Sequence, residues 1–251
     1  MVNVLINGAL GRMGKKVYEA CALSEKAKAI CGIDIKEDLS NKDFPIFSSY
    51  ADVDRKVDVI IDFSSPASLG NVLDYALKNK TPVVLCSTGY DAQAIEKINK
   101  ASKEIAIFRS ANMSLGVNIL IELVKKASKS LAGFDIEIIE KHHNQKIDAP
   151  SGTALMLADA IKEELLEKFY VYGREGLVGK RDKNEIGIHA IRGGNIVGEH
   201  DVVFAGLSET LTLSHQATDR GVFAEGAVKA GIYLVSKTNG LFNMSDLING
   251  K

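Results

Sequence analysis

Val2-Asn3-Val4-Leu5-Ile6-Asn7-Gly8-Ala9-Leu10-Gly11-Arg12-Met13-Gly14 decides the fold. A continuous apolar run gives way to three glycines and then to apolar residues at helical spacing, so a buried strand turns directly into a helix. Glycines at such a turn let the backbone approach a pyrophosphate, which the free N–H groups and dipole of the helix start stabilise. The spacing is GxxGxxG, one residue away from the usual GxGxxG. An acidic residue, Asp34, ends the second apolar run 20 positions after Gly14, where a ribose-binding carboxylate belongs. These features together predict a dinucleotide site. Asp34 suits the ribose 2′-OH of NAD, whereas Arg12 in the loop and Lys36 just past Asp34 could offset a 2′-phosphate. Both NADH and NADPH are expected to serve.

The same alternation continues outward. Apolar runs at Ala27–Asp34, Val57–Phe63, Pro82–Cys86 and Ile105–Arg109 read as strands buried on both faces. Helix-period segments lie between them at Arg12–Ser24, Ala67–Lys80 and Asp91–Lys103. The pattern predicts an α/β, Rossmann-type doubly wound parallel sheet. After Asn112 it changes. Gly116–Leu131 reads as a helix, Phe134–Lys141 as a strand, and Ser151 caps a helix extending to about Phe169. Tyr172–Glu185, with three glycines and seven charges, reads as a mobile surface loop. Glu185–Arg192, Ile196–Ala205 and Thr210–Gln216 read as strands, with Gly193-Gly194-Asn195 a hairpin signal between the first two. A helix over Gly221–Lys237 closes the pattern.

Composition sets the outer limits. The 251 residues are 46% hydrophobic and 25% charged, with 31 basic and 32 acidic side chains giving a net charge of −1. That balance argues against nucleic acid or an anionic membrane as partner. Three cysteines, Cys21, Cys31 and Cys86, form no CxxC pair, which suits a reducing compartment. With no run of about 18 apolar residues and no basic leader, the expectation is a cytosolic chain outside the membrane.

Chemistry concentrates in Glu140-Lys141-His142-His143-Asn144-Gln145-Lys146-Ile147-Asp148-Ala149-Pro150-Ser151-Gly152-Thr153. Adjacent histidines point to opposite sides of an extended chain, which suits one catalytic and one binding role better than chelation, so no metal is expected. His142 is placed to act as a general acid near neutral pH, and Lys146 to steer or protonate an anion. Ser151, Gly152 and Thr153 open a helix whose N–H groups can take a carboxylate, while Ser151 also has the ordinary reading of an N-cap.

The glycine loop and the His142-to-Thr153 block together closely resemble the dihydrodipicolinate reductase family, also called 4-hydroxy-tetrahydrodipicolinate reductases. Further blocks fall in that family's order: Asp62-Phe-Ser-Ser-Pro66, Ser87-Thr-Gly89, Ser110-Ala-Asn-Met-Ser-x-Gly-Val-Asn118, Arg192-Gly-Gly-Asn-Ile-Val-Gly-Glu-His200 and Phe223-Ala-Glu-Gly-Ala227. The resemblance implies NAD(P)H-dependent reduction of a cyclic dicarboxylate in lysine and diaminopimelate synthesis. It implies His142 and Lys146 as proton-handling residues and His143, Gly152 and Thr153 as substrate contacts, beside the Ser151 that the helix-start reading adds. It implies cofactor contacts at Gly8, Ala9, Leu10, Gly11, Arg12, Met13, Asp34, Cys86, Ser87, Thr88, Ser110, Ala111, Asn112 and Met113, whereas the family's basic residue beside the carboxylate is offset here, with Ile35 intervening before Lys36. Where the family usually shows Gly-Thr-Thr-Gly, this chain has Cys86-Ser87-Thr88-Gly89. The resemblance further implies a dinucleotide domain of residues 1–113 and 220–251. Residues 114–219 are implied as an inserted α+β substrate and oligomerisation domain, which hinges near Ser114 and Arg220 and builds a homotetramer. Two other readings share the glycine loop: a related amino- or imino-acid dehydrogenase, and a dinucleotide sensor without chemistry.

Overall fold

The computed structural model describes residues 1–250. The chain divides into two compact units, residues 1–115 with 220–251, and residues 116–219.

In the first unit the elements are β1 (Val2–Asn7), α1 (Arg12–Ala22), β2 (Ala27–Ile33), β3 (Ile46–Phe47), β4 (Val59–Asp62), α2 (Leu69–Asn79), β5 (Val83–Leu85), α3 (Ala92–Ala101) and β6 (Ala106–Arg109). The second unit follows with α4 (Leu115–Ser130), β7 (Asp135–His142), α5 (Gly152–Glu164), β8 (Phe169–Tyr172), β9 (Glu185–Arg192), β10 (Gly198–Ala205) and β11 (Thr210–Ala217). The chain then returns to the first unit with α6 (Gly221–Leu234), β12 (Gly240–Phe242) and α7 (Met244–Asn249).

The first sheet is parallel throughout, in the order β12-β6-β5-β4-β1-β2-β3. Its order reverses at β1, the switch point where doubly wound sheets open a crevice beyond the strand ends. Alternate side chains of each strand enter different cores, which is why the strands read as unbroken apolar runs. Val4, Ile6, Ile61 and Phe108 pack with Val17 and Cys21 of α1 and with Ala224, Ala227 and Leu234 of α6. Leu5, Ile60, Leu85 and Ile107 pack with Val72 and Leu73 of α2 and Ile98 of α3.

The second sheet runs β11-β10-β7-β9-β8. Its inward side chains, including Ile136, Ile138, Ile188, Val202 and Phe204, meet Leu120 and Val124 of α4 and Leu157 and Ile161 of α5. The turn signal at Gly193-Gly194-Asn195 does not make a hairpin. β9 and β10 are not neighbours, because β7 lies between them, parallel to β9 and antiparallel to β10. The helix after Ser151 ends at Glu164, short of Phe169, and the residues beyond it form β8. β12 and α7 follow the helix that seemed to close the sequence pattern.

Residues 173–184 form no regular element, yet they are tied down. Arg174 donates both terminal nitrogens to the Glu137 carboxylate and reaches Glu185. Arg181 reaches Asp135, Glu137 and the Ile136 carbonyl. Burial alone would raise the Glu137 pKa, but Arg174, His189 and Arg181 outweigh it and hold the group at about 2. Charges with no period in the sequence thus find acceptors on β7, where periodicity could not show them.

Phe204 is fully buried at the centre of the second core. Phe204→Ala should cost about 3–5 kcal/mol of stability, read as a lower urea midpoint with an unchanged slope.

Candidate active site

The dinucleotide features gather at the carboxyl ends of the first sheet's strands. Gly8 adopts φ +80°, and a Cβ there would lie 3.1 Å from the Phe63 carbonyl group and the Ser64 Cα. A Cβ at Gly14 would come within 2.2 Å of the Gly8 carbonyl oxygen. Both positions therefore keep α1 tight against the turn with its first residues open. The α1 start has no side-chain cap and no acidic residue in its first turn, so its polar N–H groups remain for an external anion.

Asp34, just past β2, accepts from the Leu10 N–H at 2.9 Å and the Ile35 N–H at 2.8 Å. The Asp34 carboxylate thereby also fixes the glycine turn. A cleft of about 710 Å³ adjoins both, lined by Gly8, Asp34, Tyr50, Ser64, Ser68 and Asn71 among others. Beneath it the fully buried Asp62 accepts from Asn7 Nδ2 at 2.8 Å and from the Ser64 N–H and hydroxyl, with the Ser87 hydroxyl at 3.5 Å. Burial raises the Asp62 pKa.

Cys86, Ser87 and Thr88 follow β5, and Ser110, Ala111, Asn112 and Met113 follow β6. The Cys86 thiol is buried with the core, 3.9 Å from the Val84 carbonyl, and burial raises its pKa well above the usual thiol range. Arg12 and Lys36 are both exposed. The residues present fit a dinucleotide: a close-approach turn, an uncapped helix start and a ribose-height carboxylate lie together.

In the second unit, β7 delivers Glu140 and His142 to one face of the sheet, since alternate residues share a face. Glu140 has no exposure to water. Its Oε1 accepts from Arg192 at 2.8 Å and from the Ser151 N–H at 2.9 Å. Its Oε2 accepts from Arg192 at 2.7 Å and lies 2.6 Å from His142 Nδ1. Burial alone would raise the Glu140 pKa, but Arg192, His142 and the Ser151 amide hold it below the ordinary carboxylate value. Burial lowers the His142 pKa, against the opposing pull of Glu140.

Lys146 Nζ pairs with Asp148 Oδ1 at 2.9 Å. Ser151 caps α5: its Oγ accepts from the Ala154 N–H and sits 3.1 Å from His200 Nε2. Ser151 is therefore buried and engaged within the protein, while Gly152 is exposed and Thr153 partly so. His143 is half-buried on the loop between Lys146 and the β7 end. Sequence reasoning missed Glu140, Arg192 and His200 as parts of this cluster. The available signal was Glu140 two residues before His142 on one strand face; Arg192 and His200 come into register only through the sheet, opposite His142 and Glu140.

Family models described as "Dihydrodipicolinate reductase, N-terminus" and "Dihydrodipicolinate reductase, C-terminus" match residues 2–113 and 116–248. A 4-hydroxy-tetrahydrodipicolinate reductase of Caldanaerobacter subterraneus subsp. tengcongensis is 51% identical over 249 residues, covering 99% of this chain and 98% of its own length. The chain belongs to the dihydrodipicolinate reductase family. A Clostridium tetani protein of the same name is 48% identical over 251 residues, covering 99% of this chain and 98% of its own length. The solved structure of dipicolinate-bound dihydrodipicolinate reductase from Paenisporosarcina sp. TG-14 superposes with a TM-score of 0.81 at 25% identity, covering 97% of each chain. A Corynebacterium glutamicum DAP dehydrogenase, at 14% identity and a TM-score of 0.55 over 97% of this chain and 92% of its own, shares the fold.

Gly8→Ala should weaken NADH binding at least about tenfold by calorimetric titration, because the new Cβ meets both an unfavourable φ and the Phe63 backbone. His200, whose pKa burial and then His142 push down to about 4, supplies a pH test. Its proton binds the unfolded chain, with a pKa near about 6.5, more tightly than the folded one. Stability is thus full above about pH 6.5 and declines toward pH 4, by about 2 kcal/mol between pH 7 and 5 from this group. His200→Gln should flatten that part of the unfolding free-energy profile.

Proposed function

We propose that this chain is an NAD(P)H-dependent oxidoreductase that reduces 4-hydroxy-tetrahydrodipicolinate to tetrahydrodipicolinate, within lysine and diaminopimelate synthesis. The observation that carries the reading is the Glu140-to-Thr153 segment. It folds as a strand end, a loop carrying Lys146 and a helix start, and so brings His142, Lys146 and a helix N-terminus onto one short stretch, in a chain of this family.

A bound nicotinamide supplies the hydride; the protein supplies position and protons. In the first unit, the Gly8–Gly14 turn and α1 start bind the diphosphate, Asp34 takes the ribose, and the backbone after β5 and β6 orients the nicotinamide end. Lys36 and Arg12, exposed beside Asp34, accommodate a 2′-phosphate, so both cofactors serve. In the second unit, the Gly152 and Thr153 end of α5 takes a substrate carboxylate, with His143 beside it. Lys146 exchanges its Asp148 partner for the anionic substrate, and His142 moves a proton at the reacting ring. The roles of residues 1–113 with 220–251 and of 114–219 as dinucleotide and substrate domains belong to this reading. So do a cytosolic location and a homotetramer, for which family membership is the support.

The decisive assay follows NADH or NADPH oxidation at 340 nm on adding freshly made precursor. Turnover is expected with both, within about a thousandfold in kcat/KM; NADH binding without turnover would favour a dinucleotide sensor. His142→Ala and Lys146→Ala should each lower kcat by about a hundredfold or more with NADH affinity nearly unchanged, and Thr153→Val should mainly raise KM.

A further inference from the structure

We propose that Glu140, backed by Arg192, is a positioning residue that fixes His142 as its Nδ1–H tautomer, leaving Nε2 as the one atom through which this ring exchanges its proton. The inference rests on the reductase reading only for the meaning of that exchange; the tautomer stands on the geometry of the second unit.

Both Glu140 oxygens are shared with the Arg192 guanidinium, at 2.7 and 2.8 Å, and Oε1 also takes the Ser151 N–H. A carboxylate so held stays ionised and can only accept. The imidazole nitrogen lying 2.6 Å from Oε2 must therefore bring the hydrogen, and that nitrogen is Nδ1. The hydrogen bond at one ring nitrogen sets the state of the other: Nε2 holds a lone pair in the neutral ring and a proton in the imidazolium. On its far side the ring meets Gly198, where a Cβ would stand 3.1 Å from Nε2, so this position carries no side chain to cover the exchanging atom.

Four titratable or charged groups face His142. Glu140 comes from its own strand, Arg192 from β9, Lys146 from the following loop, and His200 from β10, with its ring centroid 5.2 Å away. Of the four only Glu140 favours the imidazolium, so its loss leaves Arg192 and Lys146 to oppose the charged ring. The same carboxylate also holds the Ser151 amide, which ties the proton-carrying ring to the start of the carboxylate-binding helix.

The test is the histidine 15N spectrum of the full-length protein, with His142 assigned through His142→Gln. Above its titration midpoint, wild-type His142 should show a protonated Nδ1 and a bare Nε2; an Nε2–H tautomer or an averaged mixture overturns the proposal. In Glu140→Gln, whose amide can donate or accept, the tautomers should mix and the midpoint should fall by at least about half a pH unit. kcat should drop at least about tenfold with NADH affinity unchanged. A Glu140→Gln protein with the wild-type tautomer and midpoint also overturns it. Should removing one partner of the buried pair unfold the variant, the wild-type spectrum alone decides. Because that spectrum needs no turnover, an inactive protein with the expected tautomer sinks the reductase reading alone, and an active one with the opposite tautomer sinks this inference alone.

Discussion

A carboxylate with no access to water has to be satisfied entirely by protein, and one end of the second sheet is arranged around that requirement. Glu140 draws Arg192 from β9, His142 from its own strand and the amide of Ser151, the N-cap of α5, onto two oxygens. Paired ions of this kind contribute little net stability, since desolvation consumes most of the attraction, but removing one partner is costly. The arrangement therefore makes sense as a device for geometry. It gives three separate elements one common reference point, from which the His142 ring and the start of α5 are both set.

The first unit solves the corresponding problem with backbone. Asp34 accepts from the Leu10 amide, so the carboxylate past β2 and the glycine turn shape each other. Gly14 lets α1 sit almost on the Gly8 carbonyl, and Asp62 gathers Asn7, Ser64 and Ser87 from the ends of three strands. A formal charge of −1 over the whole chain hides this local division, in which α1 begins without a side-chain cap while buried carboxylates hold the framework.

Much of this was legible in the sequence because it is local. The double burial of parallel strands writes itself as unbroken apolar runs, and β1, β2, β4, β5 and β6 fall where those runs lie. The glycine turn, Asp34 and the His142-to-Thr153 block are likewise contiguous. What escaped reading is pairing at a distance. Gly193-Gly194-Asn195 has hairpin composition, but β7, some fifty residues earlier, takes the position between β9 and β10. The Arg174 and Arg181 anchors, and the Arg192 and His200 contributions to the site, depend on that same sheet order. No period in the chain encodes which strand will lie beside which.

The return of the chain through α6, β12 and α7 has a consequence in time as well as in space. The first core is incomplete without Ala224, Ala227 and Leu234, which lie beyond the whole of the second unit. During synthesis, residues 116–219 can bury their own core while the strands that emerged first still present an uncovered apolar face. The apolar face of β4, β5 and β6 thus waits for α6, a helix made only after the whole of the inserted unit.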